Sequence, residues 1–264
     1  MTLFLGVTLL EKQDHIGGLS VEISKIPAKR RLADFPDYLR HRAAGLDNLT
    51  IKTGVDATAD IIRSFRPDLV VNATGSVPLL PPIDGLHENL ADKESDVYSI
   101  LDLIRNIGRY PEDMSGKSVI VIGGGAVGLD VVEFFAPRGA DTTIIEMMPS
   151  IGNGLDASSI ASMKECMEKH KVKQLVNTAL KKVNPHSFLV EQGGKEVELP
   201  FDYGFVCLGM KAHAPIWDAL TRAFGGEDIG LLNIGDSVRA RRIIDGTDAG
   251  RHMVLNTLEQ LGYL

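Results

Sequence analysis

The chain of 264 residues is long enough for one to two domains with cores of their own. Hydrophobic residues make up 44% and charged residues 24%, which is ordinary globular composition and excludes a disordered or fibrous chain. The net charge of −7 argues against nucleic acid as a partner, because nucleic-acid binders carry a basic surface.

The cysteine content and the hydropathy narrow the class further. Cys166 and Cys207 are the only cysteines and form no CxxC motif, which excludes a disulfide framework, a zinc site and a four-cysteine iron–sulfur cluster within this chain. Reduced thiols of this kind are typical of the cytoplasm. No apolar run reaches the roughly 18 to 20 residues of a membrane helix, so no membrane partner is expected. The opening MTLFLGVTLL is interpreted as a strand.

Alternating strands and helices are predicted along the first part of the chain. Strands are expected at residues 6–11, 49–53 and 67–73, and helices at residues 34–42 and 58–65. The segment VPLLPPIDG then concentrates three prolines in nine residues, which marks a linker and the first domain boundary.

The same alternation continues to the C-terminus. Helices are predicted at residues 97–107, 126–136, 160–170 and 247–261, and strands at 117–122, 141–146, 205–208 and 231–234. Short strands are expected between residues 173 and 199, with a hairpin turn at Gln192-Gly193-Gly194-Lys195. This order predicts an α/β fold with parallel sheets.

The most informative motif is Gly123-x-Gly125-x-x-Gly128, which follows a predicted strand and opens a predicted helix. In such a motif the first glycine permits a tight turn, and the second lets the backbone approach a pyrophosphate. The third lets the helix pack on the strand, and the helix N-terminus favours phosphate. Glu146 ends the next predicted strand, at the position of an acid that accepts hydrogen bonds from both ribose hydroxyls.

Glu146 also indicates which dinucleotide binds. Its carboxylate would repel a 2′-phosphate, and no Arg or Lys occurs in Met147-Met148-Pro149 to receive one. The sequence therefore favours NAD(H) over NADP(H). The alternative is a glycine turn with a purely structural role.

A second ligand signal lies near the N-terminus, where Glu11 ends an apolar strand and Gly17-Gly18 follows. Glu11 is interpreted as a second ribose-binding acid, with a solvated acid at a strand end as the alternative. Thr74-Gly75, Gly209 and Gly235-Asp236 also close short apolar strands, where ligands bind in open α/β sheets. A simple turn is the alternative for each of them.

Together these segments resemble the C-terminal flavin and pyridine-nucleotide region of the NADH:flavin oxidoreductase family, which includes 2,4-dienoyl-CoA reductase, 2-enoate reductase and trimethylamine dehydrogenase. The resemblance rests on an ordered set of short motifs: VTLLEKQDHIGG, IPAKRR, VVNATGSVPLLPPIDG, VIVIGGGAVGLD with IIE, VCLG, and IGDSVRARRIIDGTDAGR. It implies an α/β chain with two nested Rossmann-like dinucleotide-binding domains of the FAD/NAD(P)-binding type. Residues 1–84 and 210–264 would form the discontinuous FAD-binding-like domain, and residues 85–209 the NAD(H)-binding domain.

The resemblance also implies FAD as a cofactor and assigns residues to it. These are Glu11 at the adenosine ribose, Gly17 and Gly18 at the pyrophosphate, Thr74 and Gly75 beside the cofactor, and Asp236 at the ribityl chain. The family carries a further glycine-rich strand–turn–helix before the segment that corresponds to VTLLE, so the first domain is expected to lack its N-terminal βα unit. Farther upstream the family carries an FMN-bearing barrel with an iron–sulfur cluster, which could be a separate partner chain here.

These observations favour an oxidoreductase module in which NADH passes hydride to a flavin. That step needs no side-chain acid or base, so no catalytic residue is predicted. Cys207 and His213 are interpreted as a buried core residue and a turn residue. Two alternatives remain: a nucleotide-binding subunit or fragment without turnover of its own, and a flavin-free NAD-dependent dehydrogenase. The last is disfavoured because no Ser-Tyr-Lys or His-Asp site follows the glycine motif.

Overall fold

The structure is a computed structural model that describes residues 5–263. Residues 1–4, which belong to the predicted N-terminal strand segment, and residue 264 lie outside the described residues. The chain divides into two compact units, and the outer unit contains both ends of the chain while the inner unit lies mostly between its segments in the sequence. The outer unit comprises residues 5–21, 32–77 and 210–263, and the inner unit comprises residues 22–31 and 78–209.

The helices and strands alternate over most of the described chain. The strands are β1 Val7–Leu10, β2 Leu49–Lys52, β3 Leu69–Asn72, β4 Ser76–Pro78, β5 Val97–Ser99, β6 Ser118–Ile122, β7 Asp141–Ile145, β8 Lys173–Leu175, β9 Thr178–Asn184, β10 Ser187–Gln192, β11 Lys195–Pro200, β12 Tyr203–Val206, β13 Met210–Ala212 and β14 Gly230–Asn233. The α-helices are α1 Gly18–Ile23, α2 Asp34–Ala44, α3 Ala59–Ser64, α4 Leu86–Ala91, α5 Ile100–Arg105, α6 Ala126–Phe135, α7 Ala157–Lys169, α8 Trp217–Phe224 and α9 Ile243–Gln260.

The inner unit is built on a parallel sheet of five strands in the order β5-β12-β6-β7-β8. Its central strand β6 is an uninterrupted apolar run, and Val119 and Val121 are fully buried. Such runs are typical of parallel strands that are covered on both faces. The carboxyl end of β6 leads directly into the glycine motif and α6. The predicted Rossmann-type α/β fold with parallel sheets is confirmed.

A second sheet of the inner unit is antiparallel, with the order β11-β10-β9. The hairpin between β10 and β11 turns at Gly193 and Gly194, which both have positive φ, as a two-residue turn requires. Phe188 and Val190 on β10 are buried and pack in one cluster with Leu86 of α4. The hairpin predicted at this position is therefore confirmed.

Helix boundaries differ from the sequence prediction at three places. Residues 97–107 are not one helix, because Val97–Ser99 pairs with β12 as β5; this tertiary pairing overrides local helix propensity. Helix α7 begins at Ala157 instead of 160, since the Asp156 side chain accepts hydrogen bonds from two N–H groups of the first turn. Helix α9 begins at Ile243 instead of 247, where the Asp245 carboxylate accepts from the N–H of Arg242.

The outer unit has smaller sheets than the inner one. Strands β1 and β2 form one parallel pair, β3 and β14 form another, and β4 pairs with β13. The described residues of this unit contribute few buried apolar side chains: Val70, Leu220, Phe224, Ile234, Ala249 and Leu258. Side chains on β1, β2 and β3 remain partly exposed, including Val7, Ile51 and Val71. The outer unit thus has a thin core.

Within residues 5–263, the helices are all too short or too polar to cross a membrane.

Candidate dinucleotide-binding site

The turn between β6 and α6 contains glycines that the fold itself requires. An ideal Cβ atom at Gly123 would lie 2.2 Å from the carbonyl oxygen of Cys207, and one at Gly128 would lie 1.8 Å from the carbonyl oxygen of Gly123. Non-bonded atoms do not approach so closely in folded proteins. Gly123 also has a φ of +107°, which side-chain-bearing residues rarely adopt. A side chain at Gly128 would therefore displace α6 from the end of β6, and one at Gly123 would collide with the backbone that follows β12.

Gly125 has no such structural reason to be glycine. A Cβ atom there would meet no atom within 4 Å, and the φ of −81° is accessible to every residue. Gly125 is also the N-cap residue of α6 and has no side chain with which to cap the helix. The space beside Gly125 is therefore open at the end of the helix where N–H groups and the dipole favour an anion. A pyrophosphate fits this arrangement.

Glu146 lies beside this turn because β6 and β7 are parallel neighbours, with Ile122 opposite Ile145. Its carboxylate accepts a hydrogen bond from the N–H of Gly124 at 2.7 Å and another from the N–H of Met148 at 2.8 Å. The backbone thus holds the carboxylate in one place, and its other lone pairs can accept from hydroxyl groups. The predicted acid and the predicted glycine turn are adjacent in the structure.

Gly209 follows the next strand of the same sheet. Strand β12 lies beside β6, the N–H of Cys207 donates to Ile122, and Gly209 has a φ of +99° with open space at its Cα. Its carbonyl accepts from the N–H of Leu79 at 2.9 Å, so it also joins two segments that are distant in the sequence. The Cys207 side chain is buried, and burial raises the pKa of its thiol. It therefore remains a protonated core thiol, as its sequence context indicates.

Three predicted flavin-side residues lie close together in the outer unit. The hydroxyl of Thr74 donates to the carbonyl of His213 at 2.5 Å, and the N–H of His213 donates to the carbonyl of Gly75 at 2.9 Å. The carboxylate of Asp236 accepts from the Ser76 hydroxyl at 2.9 Å. The pairing of β4 with β13 thus brings these residues close together. His213 contributes to this arrangement through the hydrogen bonds of its backbone N–H and carbonyl groups.

Glu11, Gly17 and Gly18 lie after the other parallel pair of the outer unit. The Glu11 carboxylate accepts from the N–H of Gln13 at 2.8 Å. Gly17 has a φ of +116°, and a Cβ there would lie 2.5 Å from Val21, so packing requires this glycine. Gly18 has a φ of +51° and open space, and it begins α1 instead of lying in a loop. The backbone conformation explains both glycines without a ligand.

A charged cluster near the glycine turn was missed by sequence reasoning. The ammonium of Lys29 lies 3.0 Å from Asp130 and 2.9 Å from Glu133, and all three side chains are mostly buried. Burial alone would lower the pKa of Lys29, but the two carboxylates outweigh it and raise that pKa. Burial raises the pKa of the Asp130 carboxyl in spite of Lys29. The cluster fixes residues 22–31 to α6.

A signal for this cluster was present in the sequence. Asp130 and Glu133 are spaced i, i+3 and share a face of the otherwise apolar segment GLDVVEFF. Two acids on one face of an apolar helix indicate a buried cation as partner, and IPAKRR supplies it.

Comparison with known proteins gives relatives along almost the whole chain. NADH oxidase of Thermoanaerobacter brockii is 29% identical over 247 residues, which cover 92% of this chain and 36% of that protein. Bilirubin reductase of Mediterraneibacter gnavus is 28% identical over 205 residues, which cover 78% of this chain and 30% of that protein. The chain thus spans about a third of the length of these relatives.

Solved structures agree with this relationship. A 2-naphthoyl-CoA reductase complex matches with a TM-score of 0.77 and 28% identity over 93% of this chain and 35% of its own. Histamine dehydrogenase of Rhizobium sp. 4-9 matches with a TM-score of 0.79 at 18% identity, covering 94% of this chain and 39% of its own, and shows the shared fold. The resemblance to the nucleotide-binding region of enoate reductase-like enzymes is confirmed.

A family profile decides the membership. The profile of the pyridine nucleotide-disulphide oxidoreductases matches residues 13–225, which include the glycine turn and Glu146. Members of this family bind FAD and NAD(P)H and include NADH oxidases and dihydrolipoyl dehydrogenases. The chain belongs to the pyridine nucleotide-disulphide oxidoreductase family.

Proposed function

We propose that the inner unit binds NADH and that the chain serves as the nucleotide-binding module of an NADH:flavin oxidoreductase. Gly125 leaves room for the pyrophosphate, the N-terminus of α6 donates N–H groups to it, and Glu146 accepts from the ribose hydroxyls of the adenosine half. The observation that carries this proposal is the open space at Gly125 between two glycines that packing requires. Calorimetric titration with NADH tests it.

The outer unit is proposed to hold part of an FAD site. Thr74, Gly75 and Asp236 lie together after β3 and β14, and Glu11 follows β1 on the other parallel pair. Bound NADH and FAD would supply the chemistry of hydride transfer, and the role of these residues would be to hold the two cofactors. The division proposed from the sequence, with residues 85–209 for NAD(H) and residues 1–84 and 210–264 for FAD, is kept. The segments 22–31 and 78–84 pack with the inner unit.

A barrel with FMN and an iron–sulfur cluster is the proposed partner, in the same polypeptide or a separate one. The relatives are about three times as long as the match, so they hold domains that this chain does not cover. Final substrate reduction would take place in that partner. For this chain we also propose a cytoplasmic location, because its two cysteines are free thiols.

The second candidate function is a nucleotide-binding subunit without turnover of its own. The split sheets of the outer unit favour it, because a poorly formed flavin site would leave the hydride of NADH without an acceptor. Incubating the purified chain with NADH, FAD and an artificial electron acceptor distinguishes the two functions. Steady NADH oxidation supports the oxidoreductase, and NADH binding without oxidation supports the subunit.

Replacing Glu146 with Ala is expected to narrow the preference for NADH over NADPH about tenfold. The carboxylate attracts ribose hydroxyls and repels a 2′-phosphate, so its removal weakens NADH binding and strengthens NADPH binding. Fluorescence titrations with both nucleotides measure the ratio. The Glu146→Gln variant, which retains an acceptor for the N–H of Gly124, controls for loss of turn geometry. Equal binding of both nucleotides to the unmodified chain would contradict the role of Glu146.

Replacing Cys166 with Ser is expected to leave NADH binding and any NADH oxidation unchanged. Burial raises the pKa of the thiols of both Cys166 and Cys207, which therefore stay protonated and are poor nucleophiles near neutral pH. The family includes enzymes that act on disulfides, so this variant tests whether thiol chemistry operates here. Loss of oxidation in a folded Cys166→Ser protein would show that it does.

A further inference from the structure

The inner unit contains a cavity toward the end of α6 that is opposite the glycine turn. Its volume is about 580 Å³, which is within the range of small-molecule sites. Its walls are the C-terminal part of α6, the C-terminal half of α7 and residues 26–28. The lining residues of α6 begin at Glu133, about 10 Å along the helix from Ala126. The cavity therefore lies outside the proposed pyrophosphate site.

One wall of this cavity is apolar and held in place. Residues 26–28 form it, and Ile26 is almost fully buried. The next residue, Lys29, makes ion pairs with Asp130 and Glu133 of α6, which fix this short segment against the helix. Pro137, just beyond α6, adds a further apolar surface. Such a wall suits the apolar part of a ligand.

Another wall carries a guanidinium group with incomplete hydrogen bonding. Nη1 of Arg138 donates to the carbonyl of Phe134 at 2.6 Å, and the guanidinium carbon lies 3.7 Å from the centroid of the Phe134 ring. Nη2 lies 4.0 Å from the carboxylate of Glu112, a weak pair because the Glu112 side chain is 96% exposed. Nε is buried and has no hydrogen-bond partner within residues 5–263.

The position of Arg138 at a helix end explains its charge but not this missing partner. A cation after α6 interacts favourably with the helix dipole, whereas buried donors are almost always hydrogen-bonded. Nε and Nη2 form the edge of a guanidinium that binds a carboxylate through two parallel hydrogen bonds. The Arg138 side chain, which lines the cavity, thus has a free carboxylate-binding edge.

The cavity is lined by charges of both signs. Arg138 and Lys169 are cationic, Glu112 and Glu165 are anionic, and Glu133 is already in an ion pair. A ligand that is only anionic would meet repulsion from the carboxylates, and one that is only cationic would meet repulsion from the guanidinium. A ligand that carries both charges next to each other avoids both costs.

We infer that this cavity binds a free α-amino acid with an apolar side chain. Its carboxylate would accept from Nε and Nη2 of Arg138, its ammonium would donate to Glu112, and its side chain would lie against residues 26–28. The separation of 4.0 Å between Nη2 and the Glu112 carboxylate suits two charges that are neighbours in the ligand. This site goes beyond the proposed NADH function and does not depend on it.

The first test compares amino acids with derivatives that each lack one recognised group. L-Leucine and L-phenylalanine are titrated calorimetrically into the purified chain. Their N-acetyl forms lack the ammonium, their amides lack the carboxylate, and glycine lacks the apolar side chain. At least one of the two amino acids is expected to bind about tenfold more tightly than its two derivatives and glycine, because each of these loses one contact.

The second test uses variants of the two charged groups. Glu112→Gln, at an exposed side chain, is expected to bind the amino acid about tenfold more weakly and its N-acetyl form as before. Arg138→Lys retains the charge but loses the two-donor edge, so it should weaken both ligands. Glu168→Gln, at an exposed acid of α7 outside the lining, is the matched control and should bind normally.

The outcomes distinguish this inference from the proposed function. Absence of binding by both amino acids, equal binding of the N-acetyl forms, or normal binding by folded Glu112→Gln protein would overturn the amino-acid site. Displacement of the amino acid by NADH would also overturn it, because the ligand would then occupy the nucleotide site. Amino-acid binding by a chain that does not bind NADH would support the cavity and overturn only the proposed function.

Discussion

The Gly125→Val variant is expected to lose NADH binding by more than about a hundredfold while its fold stays intact. The valine side chain would fill the space through which a pyrophosphate reaches the N–H groups of α6, and each charged hydrogen bond lost costs about 1.5–3 kcal/mol. No atom lies within 4 Å of a Cβ at this position, so the protein itself has room for it. Calorimetry with NADH measures the binding, and thermal unfolding measures the fold.

Two glycine variants provide the controls for this result. Gly108→Val places the same side chain at another open glycine of the inner unit, outside the proposed site, and should change neither NADH affinity nor Tm. Gly128→Val should lower stability by several kcal/mol, about what overpacking costs in a core, because its Cβ would collide with the carbonyl of Gly123. If folded Gly125→Val protein bound NADH as the unmodified chain does, the dinucleotide site would lie elsewhere.

The 264-residue polypeptide is expected to retain FAD weakly or not at all, and its outer unit is expected to unfold first. The parallel pairs β1–β2 and β3–β14 are separate, and sheets of two strands are rarely stable without further pairing or packing. Val7, Ile51 and Val71 on these strands are more than one-third exposed. The inner unit, with five paired strands and a large buried core, should resist unfolding for longer.

Hydrogen exchange and absorbance measure these two expectations. Amides of β1, β2, β3 and β14 should exchange much faster than those of β6 and β7, and the purified chain should show little flavin colour. A full equivalent of FAD in the purified chain, or equal exchange rates in the two groups of strands, would contradict this account.

The inner unit could be predicted from the sequence because local patterns and tertiary structure agree there. The run from Ser118 to Ile122 is apolar and β-branched, and the glycines after it have the spacing of a strand–turn–helix. Glu146 could be placed beside that turn because consecutive parallel strands joined by a helix are commonly neighbours. The Gly193-Gly194 hairpin was equally clear from its turn residues.

Other features could not be read from the sequence because they depend on distant partners. Val97–Ser99 becomes a strand only through pairing with β12, more than one hundred positions along the chain. The three motif glycines look equivalent in the sequence, and only the positions of Cys207 and Gly123 separate those that packing requires from Gly125. Lys29 meets Asp130 by tertiary folding alone.

Parallel calorimetric titrations of the purified chain with NADH and NADPH test the central claim most directly. The account predicts saturable binding of one NADH per chain and clearly weaker binding of NADPH, because the proposed role of Glu146 puts its carboxylate beside the 2′-position of the ribose. Thermal unfolding or circular dichroism of the same sample should show that the inner unit is folded. A folded chain that gives no saturable NADH signal, or that binds NADPH as tightly as NADH, would contradict the account.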